Sequence, residues 1–345
     1  MVKLEADRKL VNDSHLSEDE LVQAIRRVLS GDAPGVVVSV GDDAAVVEPG
    51  KQQLVLTSDM LVEGVHFRLD SVSAHDIGHK SITSSVSDVA AMGGSPRYGL
   101  VSIALPGAGE APWVVELYGG IREAADEYGM AIVGGDTSRG DRHVVSVSVV
   151  GTVASGKAVT RSGARPGDVL VVTGALGAAS GGLRLSMEPP HPVRGALGSE
   201  WGRELVRAYL RPVARVGEGE TLAQSGATAM IDVSDGLTLD LYRLCRESEV
   251  GATLRLADVP VALGLRELER TLGVDPLEQA LQGGEDYELL ASLPTDALGP
   301  AQERLRERYG TPLASIGEIT DNGLVAVDRD GAERPLEPKG WDHFA

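Results

Sequence analysis

Four short apolar runs in this chain each lead into a segment that carries aspartate. Val36 to Val40 precedes Gly41-Asp42-Asp43-Ala44, and Leu54 to Leu56 ends in Thr57-Ser58-Asp59. Met130 to Val133 precedes Gly134-Gly135-Asp136-Thr137, and Ala229 to Asp232 opens Asp232-Val233-Ser234-Asp235-Gly236. Short β-branched or aliphatic runs bounded by Gly and Asp are the mark of strands. Between them the apolar spacing turns helical. Helices are predicted over Ser17 to Ser30, where Ser17 and Glu20 make a capping-box pattern, over Ala74 to Met92, stopped by Gly93-Gly94 and Pro96, and over Pro112 to Tyr128. Leu100 to Leu105 and Val144 to Val153 add strands, so the fold class expected is mixed α/β.

Near Ala154 to Arg165 the pattern loosens into Gly, Ser and Lys, and it restarts beyond. This sets an expected N-terminal extension at 1–15, a first α/β domain at 16–154 and a second at 155–345. The second half is predicted to hold strand Val169 to Thr173, a glycine-rich turn from Gly174 to Gly182, and helices Gly202 to Leu210 and Ala214 to Gln224. Strand Ala229 to Asp232, helix Leu237 to Glu247, strands Ala252 to Leu256 and Tyr287 to Ser292, helix Ala297 to Tyr309 and strand Leu324 to Val327 follow. Met187 to Glu200, with three prolines, has the composition of a surface loop.

A length of 345 residues suits two such domains. The net charge of −19, from 51 acidic and 32 basic residues, excludes a sequence-blind nucleic-acid binder, which needs a basic face. The same acidity is compatible with phosphate chemistry only where carboxylates hold divalent cations that meet the phosphates. The single cysteine, Cys245, allows no internal disulfide and sits at a packing position in a predicted helix. No apolar run approaches the ~20 residues that span a bilayer, and Met1 to Leu10 lacks the apolar core of a signal peptide. The expectation is a cytoplasmic protein with neither a membrane nor a nucleic-acid partner.

Asp88 adds a further carboxylate, in the last turn of a predicted helix, where the dipole disfavours negative charge. Convergence of strand ends in an α/β fold would gather several carboxylates into one cleft, and magnesium would relieve their repulsion. Taken one at a time these residues have ordinary explanations. Asp42 and Asp43 form turns readily, and Ser234 or Asp235 is a natural cap for the helix that follows. The chain has no G-x-x-x-x-G-K-[ST] loop; Gly78-His79-Lys80-Ser81 lacks the Gly-Lys pair. Asp232 to Arg243 is no EF-hand either, since Leu237 and Arg243 replace the turn glycine and the bidentate acid. Gly134-Gly135 and Gly283-Gly284 remain as turns whose N–H groups can approach phosphate. Arg161 is either a phosphate partner or a surface arginine. His66 is either a site residue or a hydrogen-bonded surface histidine. Trp341 either anchors the tail or offers a ring face to a flat cationic ligand.

Taken in order, eight motifs resemble the thiamine-monophosphate kinase family, within the superfamily that includes aminoimidazole ribonucleotide synthetase and selenophosphate synthetase. They are Gly41-Asp42-Asp43-Ala44-Ala45, Thr57-Ser58-Asp59 with Gly64-Val65-His66-Phe67, Val86-Ser87-Asp88 through Gly93, and Gly134-Gly135-Asp136-Thr137. Thr160-Arg161-Ser162-Gly163, Asp232 through Leu237, Gly283 through Leu289 and Lys339 through Phe344 complete the set, which runs from about Leu16 to Phe344. The resemblance implies a two-domain chain that dimerises through its N-terminal sheet, with ATP and several Mg²⁺ ions between the domains. It assigns metal binding to Asp42, Asp43, Thr57, Ser58, Asp59, Asp88, Asp136, Asp232 and Asp235, with Asp59, Asp88, Asp136 and Asp235 central to catalysis. It assigns nucleotide contacts to Tyr118, Gly135, Asp136, Arg161 and Ser234, and substrate contacts to His66, Glu285 and Trp341. The implied reaction is in-line transfer from ATP to thiamine monophosphate, without a phosphoenzyme. A sister synthetase is disfavoured because the first 40 residues hold no reactive cysteine and the chain does not end in one. A non-catalytic cation-binding protein would have no use for the glycine turns and Arg161.

Overall fold

The computed structural model describes residues 27–28, 36–38, 46–47, 51–107, 110–187, 196 and 198–342. They divide into two compact units, one built from residues up to Val89 plus Pro96–Thr152, the other from Ala90–Ser95 plus the chain from Val153 onward. Of the predicted helix Ser17 to Ser30 only Arg27 and Val28 are described, and both are helical. Most of the predicted loop from Met187 to Glu200 lies outside the described residues.

The first unit opens with a short antiparallel pair, β1 (Val36–Val38) and β2 (Val46–Val47). Its main sheet comprises β3 (Gln53–Val62), β4 (Ser95–Leu105), β5 (Ala131–Arg139) and β6 (Val144–Val153), in the order β3-β6-β4-β5. β4 and β5 are parallel. Strict alternation makes this sheet two-faced: Val145, Val147 and Val149 of β6 are buried, as are Val55 and Leu61 of β3. The opposite face of β3 exposes Leu54, Leu56 and Met60. α1 (Ala74–Ala91) covers the inner face, where Ser85 Oγ donates to the Val147 carbonyl at 3.1 Å. α2 (Ala111–Glu127) buries Val114, Leu117, Tyr118 and Ile121 at helical spacing and crosses α1 closely. Glycine is required at that crossing: a Cβ on Gly120 would meet the His75 carbonyl oxygen at 1.8 Å.

The second unit is a seven-stranded sheet with helices on both faces. Its strands are β7 (Val169–Thr173), β8 (Ala229–Val233), β9 (Gly251–Arg255), β10 (Glu288–Leu293), β11 (Leu313–Thr320), β12 (Leu324–Val327) and β13 (Glu333–Pro335). The order is β13-β12-β9-β11-β7-β10-β8, antiparallel except between β12 and β9. Continuous apolar runs are what a sheet buried on both faces demands. Leu170, Val172, Ile231, Val233 and Leu290 face one core with Leu237, Leu241 and Leu244 of α6 (Leu237–Ser248). Val171, Met230, Leu289 and Ala291 face the other, with Leu222 of α5 (Val216–Gln224) and Leu305 of α9 (Leu298–Tyr309). Ala90 and Ala91, at the end of α1, join this second core. α3 (Ala178–Met187), α4 (Glu200–Leu210) and α7 (Gly264–Leu272) form a satellite core around Leu185, Leu205 and Leu265. α8 (Pro276–Gln282) starts at Asp275, whose carboxylate accepts from the Leu277 N–H at 2.9 Å.

Several boundaries differ from the periodicity reading. β3 continues through Thr57-Ser58-Asp59, and β5 continues through Gly134-Gly135-Asp136-Thr137, so both segments are strand rather than turn. The glycine-rich stretch to Gly182 turns helical at Ala178. α7, α8 and β11 were not predicted; in β11 a register shift between Ser315 and Gly317 breaks the alternation that would have marked it.

Candidate active site

Each unit carries its own set of the residues singled out in the sequence. In the first, the period of two in β3 puts Thr57 and Asp59 on the inner face and Ser58 on the outer one. The Thr57 hydroxyl donates a short hydrogen bond to the Asp88 carboxylate, which comes from the last turn of α1. Asp88 therefore meets a donor at the unfavourable end of its helix. Ser58 faces away: its hydroxyl lies 2.9 Å from that of Ser148 in β6. Asp59 is fixed through its main chain, where its carbonyl accepts from Ser146 Oγ at 3.1 Å.

Asp136 is exposed on β5, opposite Ser102 of β4. β3 and β5 are the two edges of the four-stranded sheet, about 14 Å apart by ordinary strand spacing. Asp136 is thus in the same sheet as Asp59 but not in its immediate shell. Gly135 has φ +156°, and a Cβ there would sit 1.8 Å from the Val101 carbonyl oxygen. His66 occupies a turn closed by hydrogen bonds from the Gly64 N–H to the Phe67 carbonyl at 2.8 Å and from the His66 N–H to the Val62 carbonyl at 2.9 Å. The Val62 N–H donates to His66 Nδ1 at 3.0 Å, so the neutral ring carries its proton on Nε2. Beside this turn the Glu63 carboxylate, held below its ordinary range by hydrogen bonds from His143, lies 2.9 Å from His143 Nδ1. Tyr118 is buried in α2, and burial pushes its phenol well above the ordinary value. Asp42 and Asp43 lie outside the described residues.

The second unit gathers its residues more tightly. Asp232 is buried in β8, opposite Leu289 of β10. The chain then turns through Ser234-Asp235-Gly236 into α6. Neither Ser234 nor Asp235 caps that helix. Asp240, in the first turn of α6, instead holds the segment entering the helix: its Oδ2 accepts from the Asp235 N–H at 3.0 Å and the Gly236 N–H at 3.1 Å. Arg243, one turn along α6, donates from Nη1 to Asp240 Oδ1 at 2.7 Å and to Asp235 Oδ2 at 2.5 Å. Burial pushes the Asp240 carboxyl up to about 6, against the hydrogen bond from Asp235 and the charge of Arg243.

Two more segments are tied to this turn by their main chains. The Glu285 N–H donates to the Ser234 carbonyl at 2.8 Å, and the Trp341 N–H donates to the Asp235 carbonyl at 2.9 Å. Thr238 Oγ1 grips Lys339, donating to its carbonyl at 2.7 Å and accepting its N–H at 3.0 Å. Trp341 keeps its ring half exposed. Glu285 and Tyr287 both adopt positive φ, +65° and +52°, uncommon for residues with side chains and concentrated at functional sites. Between them Asp286 turns inward and accepts from the Gly177 and Ala179 N–H groups at 2.6 and 3.1 Å, capping α3. Arg161 is exposed, in a segment whose Thr160 carbonyl accepts from the Met230 N–H at 3.0 Å.

The geometry thus joins Thr57 to Asp88, and Ser234 and Asp235 to Glu285 and Trp341. Among the described residues, Asp136, Arg161 and Tyr118 make no hydrogen bond to either group. Asp240 and Arg243 are participants that no sequence motif singles out, and Asp286, though within the Gly283-to-Leu289 motif, has no role assigned from sequence. The spacing of Asp240 and Arg243 shows only that they share a helix face. Among the described residues no three His, Cys, Asp or Glu side chains come together as a ready-made metal site. No helix among the described residues is long and apolar enough to cross a membrane.

Residues 41–153 match the family model for the N-terminal domain of AIR synthase related proteins, and residues 165–330 match that for the C-terminal domain. The thiamine-monophosphate kinase of Bacillus subtilis is 34% identical over 314 residues, which cover 90% of this chain and 94% of that protein. The crystal structure of the thiamine-monophosphate kinase from Stenotrophomonas maltophilia superposes with a TM-score of 0.77 at 36% identity, over 92% of this chain and 97% of that one. AaThiL complexed with AMPPCP and TMP superposes with a TM-score of 0.74 at 33% identity, over 95% of this chain and 97% of that one. Identity at this level along nearly the whole length, on top of both domain matches, identifies the chain as a member of the thiamine-monophosphate kinase family of AIR synthase related proteins.

Proposed function

We propose that this protein transfers the γ-phosphate of ATP to thiamine monophosphate, giving thiamine diphosphate. The observation that carries the reading is the main-chain bonding that ties Glu285 and Trp341 to the Ser234-Asp235 turn, joining segments that bear a carboxylate suited to a cation, an acid, and an aromatic residue suited to a cationic ring. Thiamine-monophosphate kinase is the name carried by relatives that align along nearly the entire chain, which supports the same substrate pair.

The acceptor oxygen of a phosphate monoester is already anionic, so the chain needs no strong general base. Its work is to align donor and acceptor and to offset their repulsion. The donor set fits magnesium: carboxylate, hydroxyl and backbone oxygens are the hard ligands that ion takes, with water and phosphate completing its shell. Asp59, Asp88, Asp136, Asp232 and Asp235, with Thr57, Asp42, Asp43 and the backbone of the outward-facing Ser58, are the proposed holders. Bound there, Mg²⁺ would neutralise charge on the facing phosphates. Gly135, Arg161, Ser234 and Tyr118 are proposed to seat the nucleotide. His66 is proposed to donate from Nε2 to the substrate, and Glu285 and Trp341 to hold its ring. A cytoplasmic homodimer is proposed, supported by the exposed Leu54, Leu56, Met60 and Leu100 on the first unit's sheet.

The test is a product assay in which thiamine monophosphate, thiamine and an aminoimidazole precursor are offered separately with ATP and Mg²⁺. Thiamine diphosphate should form from the monophosphate alone and only with the metal. ATP turnover on another acceptor would move the protein to a sister activity.

A further inference from the structure

We propose that Asp240 and Arg243 form a positioning pair that sets the Asp235 carboxylate and, through the main chain of the same turn, sets Glu285 and Trp341 with it. The proposal rests on the phosphotransfer reading above. Asp240 is fully buried, yet all its partners lie in or beside the Asp235 turn: two N–H groups at its Oδ2 and Arg243 at its Oδ1. Arg243 spends one guanidinium nitrogen on both Asp240 and Asp235, which leaves Asp235 Oδ1 as the oxygen without that arginine partner. A carboxylate held by one oxygen presents the other in a fixed direction, the arrangement that outer residues impose on metal-ligating carboxylates. The turn then hands its two carbonyls outward, Ser234 to the Glu285 N–H and Asp235 to the Trp341 N–H. One buried acid therefore sets the register of three segments distant in sequence. Neither Asp240 nor Arg243 needs to touch a substrate for this.

Four variants of the full chain test it: Arg243→Met, Arg243→Lys, Asp240→Asn and, as a control, Arg246→Met, whose parent arginine pairs with Glu247 at the surface of the same helix. Amide exchange without nucleotide or metal reads the geometry directly. Arg243→Met and Asp240→Asn should speed exchange in the peptide containing Trp341 by about tenfold, leaving β8 protected. In the product assay Arg243→Met should lower kcat by about ten- to a hundredfold and raise the Mg²⁺ needed for half-maximal rate. Arg243→Lys, which keeps one cationic donor, should recover part of both, and Arg246→Met should match the parent. Unchanged exchange at Trp341 overturns the proposal. So does a kcat within about twofold of the parent in Arg243→Met, the spread expected of a surface change. An inactive parent chain would sink the phosphotransfer reading instead, while exchange at Trp341 still decides whether the pair fixes the turn.

Discussion

Asp286 accepts the backbone N–H of Gly177 at 2.6 Å, so a carboxylate from the strained Glu285–Tyr287 segment caps the helix that begins at Ala178. Burial pushes this carboxyl up to about 7, outweighing the N–H donors that favour its charge, with Glu288 adding to the rise. The folded chain then holds a proton that the unfolded chain has lost, from the ordinary carboxylate range up to about pH 7. Stability from this group is full below that range and falls as pH rises through it. Asp286→Asn mimics the protonated form without titrating. Melting curves should show the parent losing ground against Asp286→Asn between about pH 4 and 7; a pH-independent difference would mean that Asp286 is charged throughout.

The inner-face trio of β3 and α1 yields a kinetic prediction. Asp59→Ala should depress kcat by at least about a hundredfold, the scale of losing a charge-stabilising group. Thr57→Val removes one neutral hydroxyl, which supports Asp88 and belongs to the proposed donor set, and should have a smaller effect, about tenfold. Near-normal turnover of Asp59→Ala in ordinary Mg²⁺ would remove Asp59 from the proposed donor set.

The crossing of α1 and α2 tolerates no side chain at Gly120. Gly120→Ala would drive a Cβ to 1.8 Å from the His75 carbonyl and should cost about 3 kcal/mol or more, despite the better helix propensity of alanine. Denaturant unfolding measures this directly. A neutral or stabilised variant would show that the helices separate freely.

Leu56 is 70% exposed on the outer face of β3, beside Leu54 and Met60. Leu56→Glu should convert the proposed homodimer to a monomer in light scattering coupled to size exclusion, with little effect on the inner face. A parent chain that already runs as a monomer would remove that assembly from the proposal.

Much of this protein is written locally. Period-two burial in β6 and the helical spacing of α1 and α2 follow from side-chain direction alone, and the motif order is enough to carry the family assignment. Local pattern also misled where it met tertiary context. Thr57-Ser58-Asp59 and Gly134-Gly135-Asp136 have turn composition, yet both are strand because the neighbouring strands satisfy their backbone groups. What sequence could not decide was which side chains meet. That Asp240 and Arg243 share a helix face is fixed by 3.6 residues per turn. That this face looks back on Asp235 depends on Gly236 at φ +125°, which reverses the chain between β8 and α6. That the same turn receives Glu285 and Trp341 depends on β10 lying beside β8 and on Thr238 holding Lys339. These are contacts between segments separated by tens of residues, set by sheet order and core packing, and no local signal encodes them.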